Sequence, residues 1–350
     1  MKFDFFYLDY LKKESKKINF FSIYYCIIYS NVYNTHDTLK NIDNKESGVS
    51  FMIEDTQLKN VLSDFGIYVK SSIKQIYETA WDIDDAYILK VNEDIKWLEK
   101  SIITNRLLIS EGITVAEYID TIYGKQHLLI DEKYWCLMKK IKGSLFDPYA
   151  GDLKNNGILL GKAVARLHKA LKNVEDKLDI DEADFDNELS SWIVPELEKN
   201  GVSFKEGVID SLYAFFAQDY KNLPRQLIHR DMHTGNLLYQ NGSFSYLDFD
   251  LGQSNVRIFD IVYLGCSQLV ENYKDQTGLK QWRKIFEGIV QGYNEISPLS
   301  REELNALPAL FVFDEALFTA FYLKTGQPEI AKNCEEMTNW LHDNIRTLIL

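Results

Sequence analysis

Residues Gln226–Gly252 read QLIHRDMHTGNLLYQNGSFSYLDFDLG. Apolar residues lead into His229 and Asp231, and two further short apolar runs flank the turn sequence Gln-Asn-Gly-Ser. Two such runs joined by a turn that contains Asn-Gly predict a β-hairpin. The hairpin would bring Asn236 close to Asp248, which follows it by twelve residues, so that an amide and two carboxylates would meet at one end.

The side chains at this end of the hairpin point to a particular chemistry. Asn236 and Asp248 supply hard oxygen ligands suited to Mg²⁺, which keeps several waters and takes further ligands from substrate phosphates. Asp231, at the start of the loop, would face the metal-bound phosphate, where a base must lie to orient an attacking hydroxyl group. The spacing therefore indicates phosphoryl transfer.

A metal-dependent hydrolase is an alternative interpretation of the same stretch. His229, Asp231 and His233 follow the pattern His-x-Asp-x-His. A zinc site needs three or four nitrogen, sulfur or oxygen ligands, often including further histidines. The remaining histidines form no ligand-like pair; they are His36, His127, His168 and His342. The ligand count therefore favours phosphoryl transfer.

Composition restricts the class of protein. A chain of 350 residues is long enough for one large or two medium domains. Its formal net charge of −13 argues against nucleic acid or an anionic membrane as the main partner and is compatible with a cationic small molecule. The four cysteines are far apart and form no Cys-x-x-Cys pair, which favours reduced thiols and a cytoplasmic location.

Residues 1–48 differ from the rest of the chain. A basic start and an apolar run superficially resemble a signal or an anchor, but the run is short for a spanning helix of about 20 residues and carries Ser22, Ser30 and Asn31. We expect no membrane anchor and assign these residues to an N-terminal extension. An extra docked segment and an upstream extension of a chain that starts near Met52 both remain open.

The pattern of elements changes near Gly143. Before it, the sequence predicts a helix that stops at Gly66, then β-rich stretches with an Asp-rich turn, a helix over Asp94–Glu111, and strands over Thr114–Ile122 and His127–Ile141. After it, long amphipathic helices predominate, and only the opening stretch is β-rich. The tail from Trp282 onward is predicted to be helical with breaks at Pro298 and Pro308.

HRDMHTGN followed by YLDFD closely resembles the catalytic and metal loops of the aminoglycoside phosphotransferase and choline kinase superfamily, relatives of the eukaryotic protein kinases. The order of a strand lysine, a helix, the linker strand LMKKIKG and a helix ending RLH fits the same family from about Val49 onward. The resemblance implies an α+β, protein-kinase-like fold of two lobes. The small β-rich N-lobe would span residues 49–143 and the larger, mainly helical C-lobe residues 144–350.

The resemblance also implies roles for individual residues of the opening stretch. Asp231 matches the catalytic base, and Asn236 and Asp248 match the Mg²⁺ ligands. His229 is expected to support the loop by hydrogen bonding, and Asp260 matches an acid that braces it.

The expected nucleotide site lies in the first lobe. Lys90 in YILKV matches the strand lysine that contacts the α- and β-phosphates. Glu99 is the candidate helix glutamate that would pair with Lys90, although its distance from Gly112 does not fit the usual spacing well. The linker strand should offer backbone groups to the adenine of ATP, with GTP as a second possibility; its residues are Met138, Lys139, Lys140 and Ile141.

Two departures from the protein-kinase pattern narrow the function. No glycine occurs between Gly66 and Gly112, so the Gly-rich phosphate loop is absent. The carboxylates of the Asp-rich turn are expected to face water; they are Asp82, Asp84 and Asp85. Asp248-Phe249 is followed by Asp250 rather than glycine, and no Ala-Pro-Glu segment follows. A protein kinase is therefore disfavoured. A catalytically silent nucleotide-binding protein is also disfavoured, because the lysine, base and metal ligands occur together.

These residues predict an ATP- and Mg²⁺-dependent phosphotransferase that acts on a hydroxyl group of a small molecule. An aminoglycoside or another amino-sugar is the first expectation, which would make the protein an antibiotic-resistance enzyme. A metabolite kinase for choline, homoserine or a related alcohol is the alternative. The acidic stretch Glu175–Glu198 is either a solvated surface or a wall for a cationic substrate.

Overall fold

The computed structural model describes residues 55–349 except residues 71, 78, 181, 182 and 271. The extension predicted for residues 1–48 lies outside the described residues. The first lobe contains α1 (Asp55–Asp64), β1 (Ile73–Tyr77), β2 (Ala80–Ile83), β3 (Tyr87–Asn92), α2 (Ile95–Ser110), β4 (Tyr118–Ile119), β5 (Leu128–Ile130) and β6 (Lys133–Lys139). The second contains β7 (Ser144–Leu145), α3 (Leu153–Val174), α4 (Phe185–Glu188), α5 (Val194–Lys199), α6 (Val208–Gln218), β8 (Arg225–Ile228), β9 (Leu237–Gln240), β10 (Ser243–Tyr246), β11 (Gln253–Val256), α7 (Phe259–Leu269), α8 (Gln276–Ile296), α9 (Arg301–Lys324) and α10 (Pro328–Ile349).

An antiparallel sheet forms the first lobe, with the strand order β1-β2-β3-β6-β4 and β5 paired to β6. Its alternating apolar residues pack against α1 in a small core that includes Trp81, Leu89 and Trp135. Lys90 is in the middle of β3, opposite Ala80 on β2 and Cys136 on β6. The period-2 alternation of a strand therefore turns Lys90 away from the face that holds Leu89.

The second lobe is built around the crossing of α3 and α8. The two helices approach closely because each carries two glycines four residues apart: Gly157 and Gly161 on α3, Gly288 and Gly292 on α8. A Cβ atom on Gly161 would lie 2.0 Å from the carbonyl oxygen of Ile289, so no larger residue fits there. The crossing buries the apolar face of α3. β8, which leads into the catalytic loop, packs beside α3.

The β-rich insert of the second lobe consists of two small sheets. β9 and β10 form the predicted hairpin, with Leu237 opposite Tyr246. Asn241 and Gly242 form its turn with φ angles of 52° and 83°, which an Asn-Gly pair adopts readily. β8 pairs with β11 on the other side of the loop. The hairpin predicted from the sequence is confirmed.

α9 is the one helix among the described residues that combines the length and the apolar composition of a membrane span. Its length and composition would allow it to cross a bilayer, but 83% of its most apolar window is buried inside the protein. The prediction of a break at Pro308 is wrong, because α9 runs from Arg301 to Lys324 with Pro308 inside it. Pro308 is buried, and packing in the core outweighs the loss of one backbone hydrogen bond.

Two strand predictions in the first lobe were too long. The structure gives only β4 within Thr114–Ile122, and it divides His127–Ile141 into β5 and β6. Asp131 and Glu132 form the turn between these two strands with φ angles of 51° and 60°. The pair Asp131-Glu132 contains no glycine, the residue that most often indicates such a turn, so the hairpin of β5 and β6 was not predicted. The boundary between lobes near Gly143 stays a prediction; it falls between β6 and β7.

Candidate active site

The catalytic loop between β8 and β9 is held by one buried carboxylate. Asp260, at the start of α7, accepts hydrogen bonds from the backbone N–H groups of His229 at 2.8 Å and Arg230 at 2.9 Å. His168 on α3 lies 2.8 Å from the same carboxylate through Nε2, and its Nδ1 lies 2.9 Å from the hydroxyl of Tyr293. A chain of contacts thus runs from the α3–α8 crossing to the loop.

Both ring nitrogens of His229 form hydrogen bonds inside the protein. Its Nδ1 accepts a hydrogen bond from the backbone N–H of Asp231 at 3.3 Å, so its Nε2 carries the proton that is donated to the carbonyl oxygen of Leu247 at 2.8 Å. Burial lowers the pKa of His229 and keeps the ring neutral. His229 therefore ties the loop to the residue before Asp248.

The geometry of both loop histidines disagrees with a His-x-Asp-x-His metal site. Neither ring nitrogen of His229 is available to a metal. His233 accepts from the backbone N–H of Gly235 through Nδ1 at 3.0 Å, and its Nε2 lies 3.4 Å from Asp231 Oδ1. The Nε2 atom of His233 therefore faces the Asp231 carboxylate. In a metal site, the ring and the carboxylate would instead lie side by side and both face the ion.

Asp231 lies at the centre of this arrangement. Asn236 donates from its side-chain amide to Asp231 Oδ2 at 3.0 Å and to the Asp231 carbonyl at 2.8 Å. Burial alone would raise the pKa of Asp231, but the His233 ring and the hydroxyl of Tyr263 outweigh burial and lower the pKa to about 2. Asp231 is therefore a fixed anion at neutral pH.

The hairpin brings Asn236 and Asp248 together. The backbone N–H of Leu247 donates to the carbonyl of Asn236 at 3.0 Å, so the residues after β10 run beside those before β9. Asp248 has a φ of 56°, an uncommon conformation for a residue other than glycine.

The donor set fits a divalent cation. Asp248 Oδ1 is buried without a hydrogen-bond donor among the described residues. Burial, together with the neighbouring charges of Asp250 and Asp231, raises the pKa of Asp248 to about 6 against the opposing charge of Lys90. Buried carboxylates need a compensating charge. Asp248 and a neighbouring carboxylate, beside the amide oxygen of Asn236, form a set of oxygen donors that suits Mg²⁺.

Lys90 reaches this cluster from the first lobe. Its Nζ lies 3.0 Å from Asp250 Oδ2 and 3.8 Å from Asp248 Oδ1. Burial alone would lower the pKa of Lys90, but the two carboxylates raise it well above its usual value. Asp250 was missed as a site residue by sequence reasoning, although the second carboxylate of Asp-Phe-Asp was a visible signal.

Glu99 does not join this cluster. Its side chain is exposed on α2, whereas Leu98, Ser101 and Ile102 form the buried face of that helix. The expected pairing of Glu99 with Lys90 is therefore not what the structure shows, because the helix turns Glu99 outward by about 100° from its neighbour Leu98.

Two backbone N–H groups of the linker strand are already hydrogen-bonded within the first lobe. The N–H of Lys139 donates to the carbonyl of Glu117 at 2.9 Å, and the N–H of Lys140 donates to the carbonyl of Ala86 at 2.8 Å. The side chain of Lys140 is also engaged, by Asp82 and Asp85 of the Asp-rich turn. The carbonyl groups of this strand and Ile141 are left as the candidates for the expected adenine contacts.

The Asp-rich turn between β2 and β3 is structural. Asp84 accepts from the backbone N–H groups of Lys70 at 2.6 Å and Ser72 at 2.8 Å. Asp84 and Asp85 both have positive φ angles, 54° and 55°, which aspartate tolerates in turns. These carboxylates point away from the cluster around Lys90 and hold the turn and the linker strand together.

The acidic stretch Glu175–Glu198 contains structural contacts as well as solvated residues. Glu175 accepts from the backbone N–H of Leu227 at 3.0 Å, and Glu188 forms an ion pair with Arg230 of the catalytic loop at 2.8 Å. Asp176, Asp179 and Glu198 are exposed.

A second acidic pair is buried behind the catalytic loop. Asp314 and Glu315 of α9 lie beside Cys266 of α7, with one ligand atom from each within 4.8 Å of the others. Burial raises the pKa of Asp314 to about 7, and the nearby Asp231 raises it as well, against the charge of Arg230. The sequence interpretation missed this pair because both residues are inside an apolar helix.

A family model described as the phosphotransferase enzyme family (APH) matches residues 80–299. The chain belongs to this family. It is therefore a phosphotransferase that acts on a hydroxyl group of a small molecule, with the protein-kinase-like two-lobed fold predicted from its catalytic and metal loops.

Solved structures with this fold resemble the chain over most of its length. An amicoumacin kinase in complex with AMP-PNP, Ca²⁺ and Ami is 17% identical, with a TM-score of 0.61 over 83% of this chain and 97% of that one. A spectinomycin phosphotransferase in complex with ADP and its antibiotic is 17% identical, with a TM-score of 0.58 over 85% and 100%. The choline kinase LicA from Streptococcus pneumoniae is 11% identical, with a TM-score of 0.57 over 83% and 100%. No curated protein sequence matches the chain.

Proposed function

We propose that this phosphotransferase transfers the γ-phosphoryl group of Mg²⁺-ATP to a hydroxyl group of a small amine-bearing molecule, with Asp231 as its catalytic residue. The observation that carries the proposal is the convergence of four side chains. Asn236 is hydrogen-bonded to Asp231, and Lys90 Nζ lies 3.8 Å from Asp248. These contacts, with the electrostatic effect of Asp231 on Asp248, support one site in which a base, two oxygen ligands and a phosphate-binding cation would act together.

Asp231 would act mainly by orientation. A carboxylate whose pKa is about 2 is a weak base at neutral pH, so it does not remove the proton of an alcohol before the phosphoryl group moves. It accepts a hydrogen bond from the hydroxyl group and takes the proton as the bond to phosphorus forms. This order suits phosphoryl transfer, whose loose transition state depends on positioning and charge neutralisation.

Lys90, Asn236 and Asp248 would hold the nucleotide. Asn236 and Asp248 would hold Mg²⁺, which would supply positive charge to neutralise the charge that develops on the phosphates. Lys90, kept protonated by its carboxylate neighbours, would contact the α- and β-phosphates. The linker carbonyls and Ile141 would contact the base, with ATP preferred and GTP as the second choice.

An aminoglycoside or another amino-sugar compound is the acceptor that the observations favour. The chain carries a formal charge of −13, which is compatible with a cationic acceptor. Two of the similar structures are, by their names, an amicoumacin kinase and a spectinomycin phosphotransferase. The similarity to a choline kinase supports the alternative, a metabolite kinase for choline, homoserine or a related alcohol. A cytoplasmic location and a role in antibiotic resistance belong to the first proposal.

A panel of acceptors tests the proposal. Purified protein is incubated with radiolabelled ATP and Mg²⁺ and, separately, with aminoglycosides, spectinomycin, choline, homoserine and a mixture of proteins. Label transferred to an antibiotic supports the first proposal, and label on choline or homoserine supports the alternative. Label on protein contradicts the assignment to small molecules. Nucleotide binding without transfer to any acceptor would revive the catalytically silent alternative.

A further inference from the structure

Lys90 is a buried cation that requires a compensating charge. Its side chain is only 13% exposed, and an unpaired ammonium group at such a position is costly. Among the described residues, one carboxylate at hydrogen-bond distance is that of Asp250, at 3.0 Å, while Asp248 lies farther away at 3.8 Å. A direct partner of Lys90 therefore comes from the loop that follows β10.

The helix that packs on this sheet presents no carboxylate to Lys90. α2 is described throughout and contains one acidic residue, Glu99, which is exposed. The buried polar residues of α2 are uncharged; they are Ser101, Thr104 and Asn105. Ser101 Oγ lies 3.1 Å from the hydroxyl of Tyr118, whose pKa is raised far above its usual value by burial, so this contact is neutral as well.

Asp250 is well placed to act as a rigid anchor. It directly follows Phe249, which is 2% exposed and packs against the ring of His229 with a centroid distance of 4.8 Å. The N–H of Gly252 donates to the carbonyl of Phe249 at 3.1 Å and closes a turn around Asp250. The position of Asp250 is thus set by the catalytic loop and its buried support.

We propose that Asp250 is the positioning residue of Lys90 and replaces a helix carboxylate in that task. This proposal rests on the proposed function, in which Lys90 contacts the nucleotide phosphates. It implies that the lysine is tied to the metal-binding loop, so a displacement of α2 would leave its ion pair intact. Asp250 acts on the nucleotide through Lys90.

Because Asp250 is two residues from Asp248, its substitution could instead act through the metal. A double-mutant cycle separates the two routes. ATP affinity is measured by calorimetry at saturating Mg²⁺ for the wild type, Asp250→Asn, Lys90→Met and the double variant, and unfolding temperatures confirm that each is folded. We expect about tenfold weaker binding for Asp250→Asn and no further loss from it in the Lys90→Met background. Additive losses, or tighter binding by Asp250→Asn, would overturn the proposal.

Two more variants make the test specific. Asp250→Glu keeps the charge and should recover most of the affinity lost in Asp250→Asn. Glu99→Gln should bind ATP as the wild type does; a loss in Glu99→Gln that disappears in the Lys90→Met background would assign the positioning role to the helix instead. A wild type that does not bind ATP would refute the proposed function itself, whereas a wild type that binds ATP with an unaffected Asp250→Asn would refute only this inference.

Discussion

The guanidinium group of Arg230 and the carboxylate of Glu188 meet through two hydrogen bonds of 3.0 and 2.8 Å. The guanidinium group also lies over the ring of Phe185, 4.7 Å from its centroid, and both charged side chains are less than 15% exposed. Arg230 directly precedes Asp231 and has a φ of 71°. The pair therefore connects α4 to the strained segment of the catalytic loop.

Glu188→Gln should destabilise this segment and lower turnover. The change leaves Arg230 buried without its ion-pair partner, which we expect to cost about 1–3 kcal/mol in the free energy of unfolding. Urea unfolding and kcat measure the two effects. The matched control is Glu198→Gln, an exposed acid of the same stretch, which should stay within about 0.5 kcal/mol of the wild type. Equal stability of both variants would show that the pair is not structural.

Asp248→Asn should impair metal-dependent nucleotide binding. The amide keeps the shape of the side chain but removes the charge that a divalent cation requires. We expect the Mg²⁺ concentration that gives half-maximal ATP binding to rise at least about tenfold. The measurement is a Mg²⁺ titration at fixed ATP, with the exposed Asp210→Asn as the control. An unchanged Mg²⁺ dependence would contradict the assignment of Asp248 as a ligand.

Gly161→Ala should destabilise the second lobe. A Cβ atom there would overlap the carbonyl oxygen of Ile289, at 2.0 Å, and the backbone N–H of Tyr293, at 2.7 Å. The better helix propensity of alanine, about 1 kcal/mol, does not offset a clash with backbone, so we expect a net loss of at least about 2 kcal/mol in the free energy of unfolding. Lys169→Ala, at an exposed position of α3, is the control. A stabilised Gly161→Ala variant would mean that α3 and α8 are farther apart.

Asp314 should make stability depend on pH. Its pKa is raised by burial from 3.8 to about 7 in the folded protein, so the unfolded chain ionises first as pH rises. This group therefore favours the folded state below pH 4 and loses that contribution between about pH 4 and 7, by up to about 4 kcal/mol. Relative to the wild type, Asp314→Asn should gain stability across this range and keep a constant difference above it. A difference that does not change between pH 4.5 and 7.5 would contradict the raised pKa.

How much the sequence alone predicts depends on the separation of the residues involved. The hairpin and the meeting of Asn236 with Asp248 were predictable, because an Asn-Gly turn sets the register over twelve residues. The two-lobed fold followed from the resemblance of the loops. The partner of Lys90 was not predictable by spacing, because Asp250 is 160 residues away along the chain and the choice depends on which face of α2 is buried.

Other differences arose where tertiary packing decided the outcome. Pro308 remains inside a helix because the surrounding core holds that helix on all sides. Glu188 reads as part of a solvated acidic stretch, yet it meets Arg230 across 42 residues of sequence. Local composition predicts neither the packing around Pro308 nor the ion pair of Glu188 with Arg230.

The most direct test of the central claim is the effect of Asp231→Asn on turnover and on nucleotide binding, measured on the same preparation. With the best acceptor from the panel, we expect kcat to fall at least about 100-fold while the affinity for Mg²⁺-ATP stays within about threefold of the wild type. Full activity of Asp231→Asn would remove Asp231 from the catalytic role and refute the proposed mechanism.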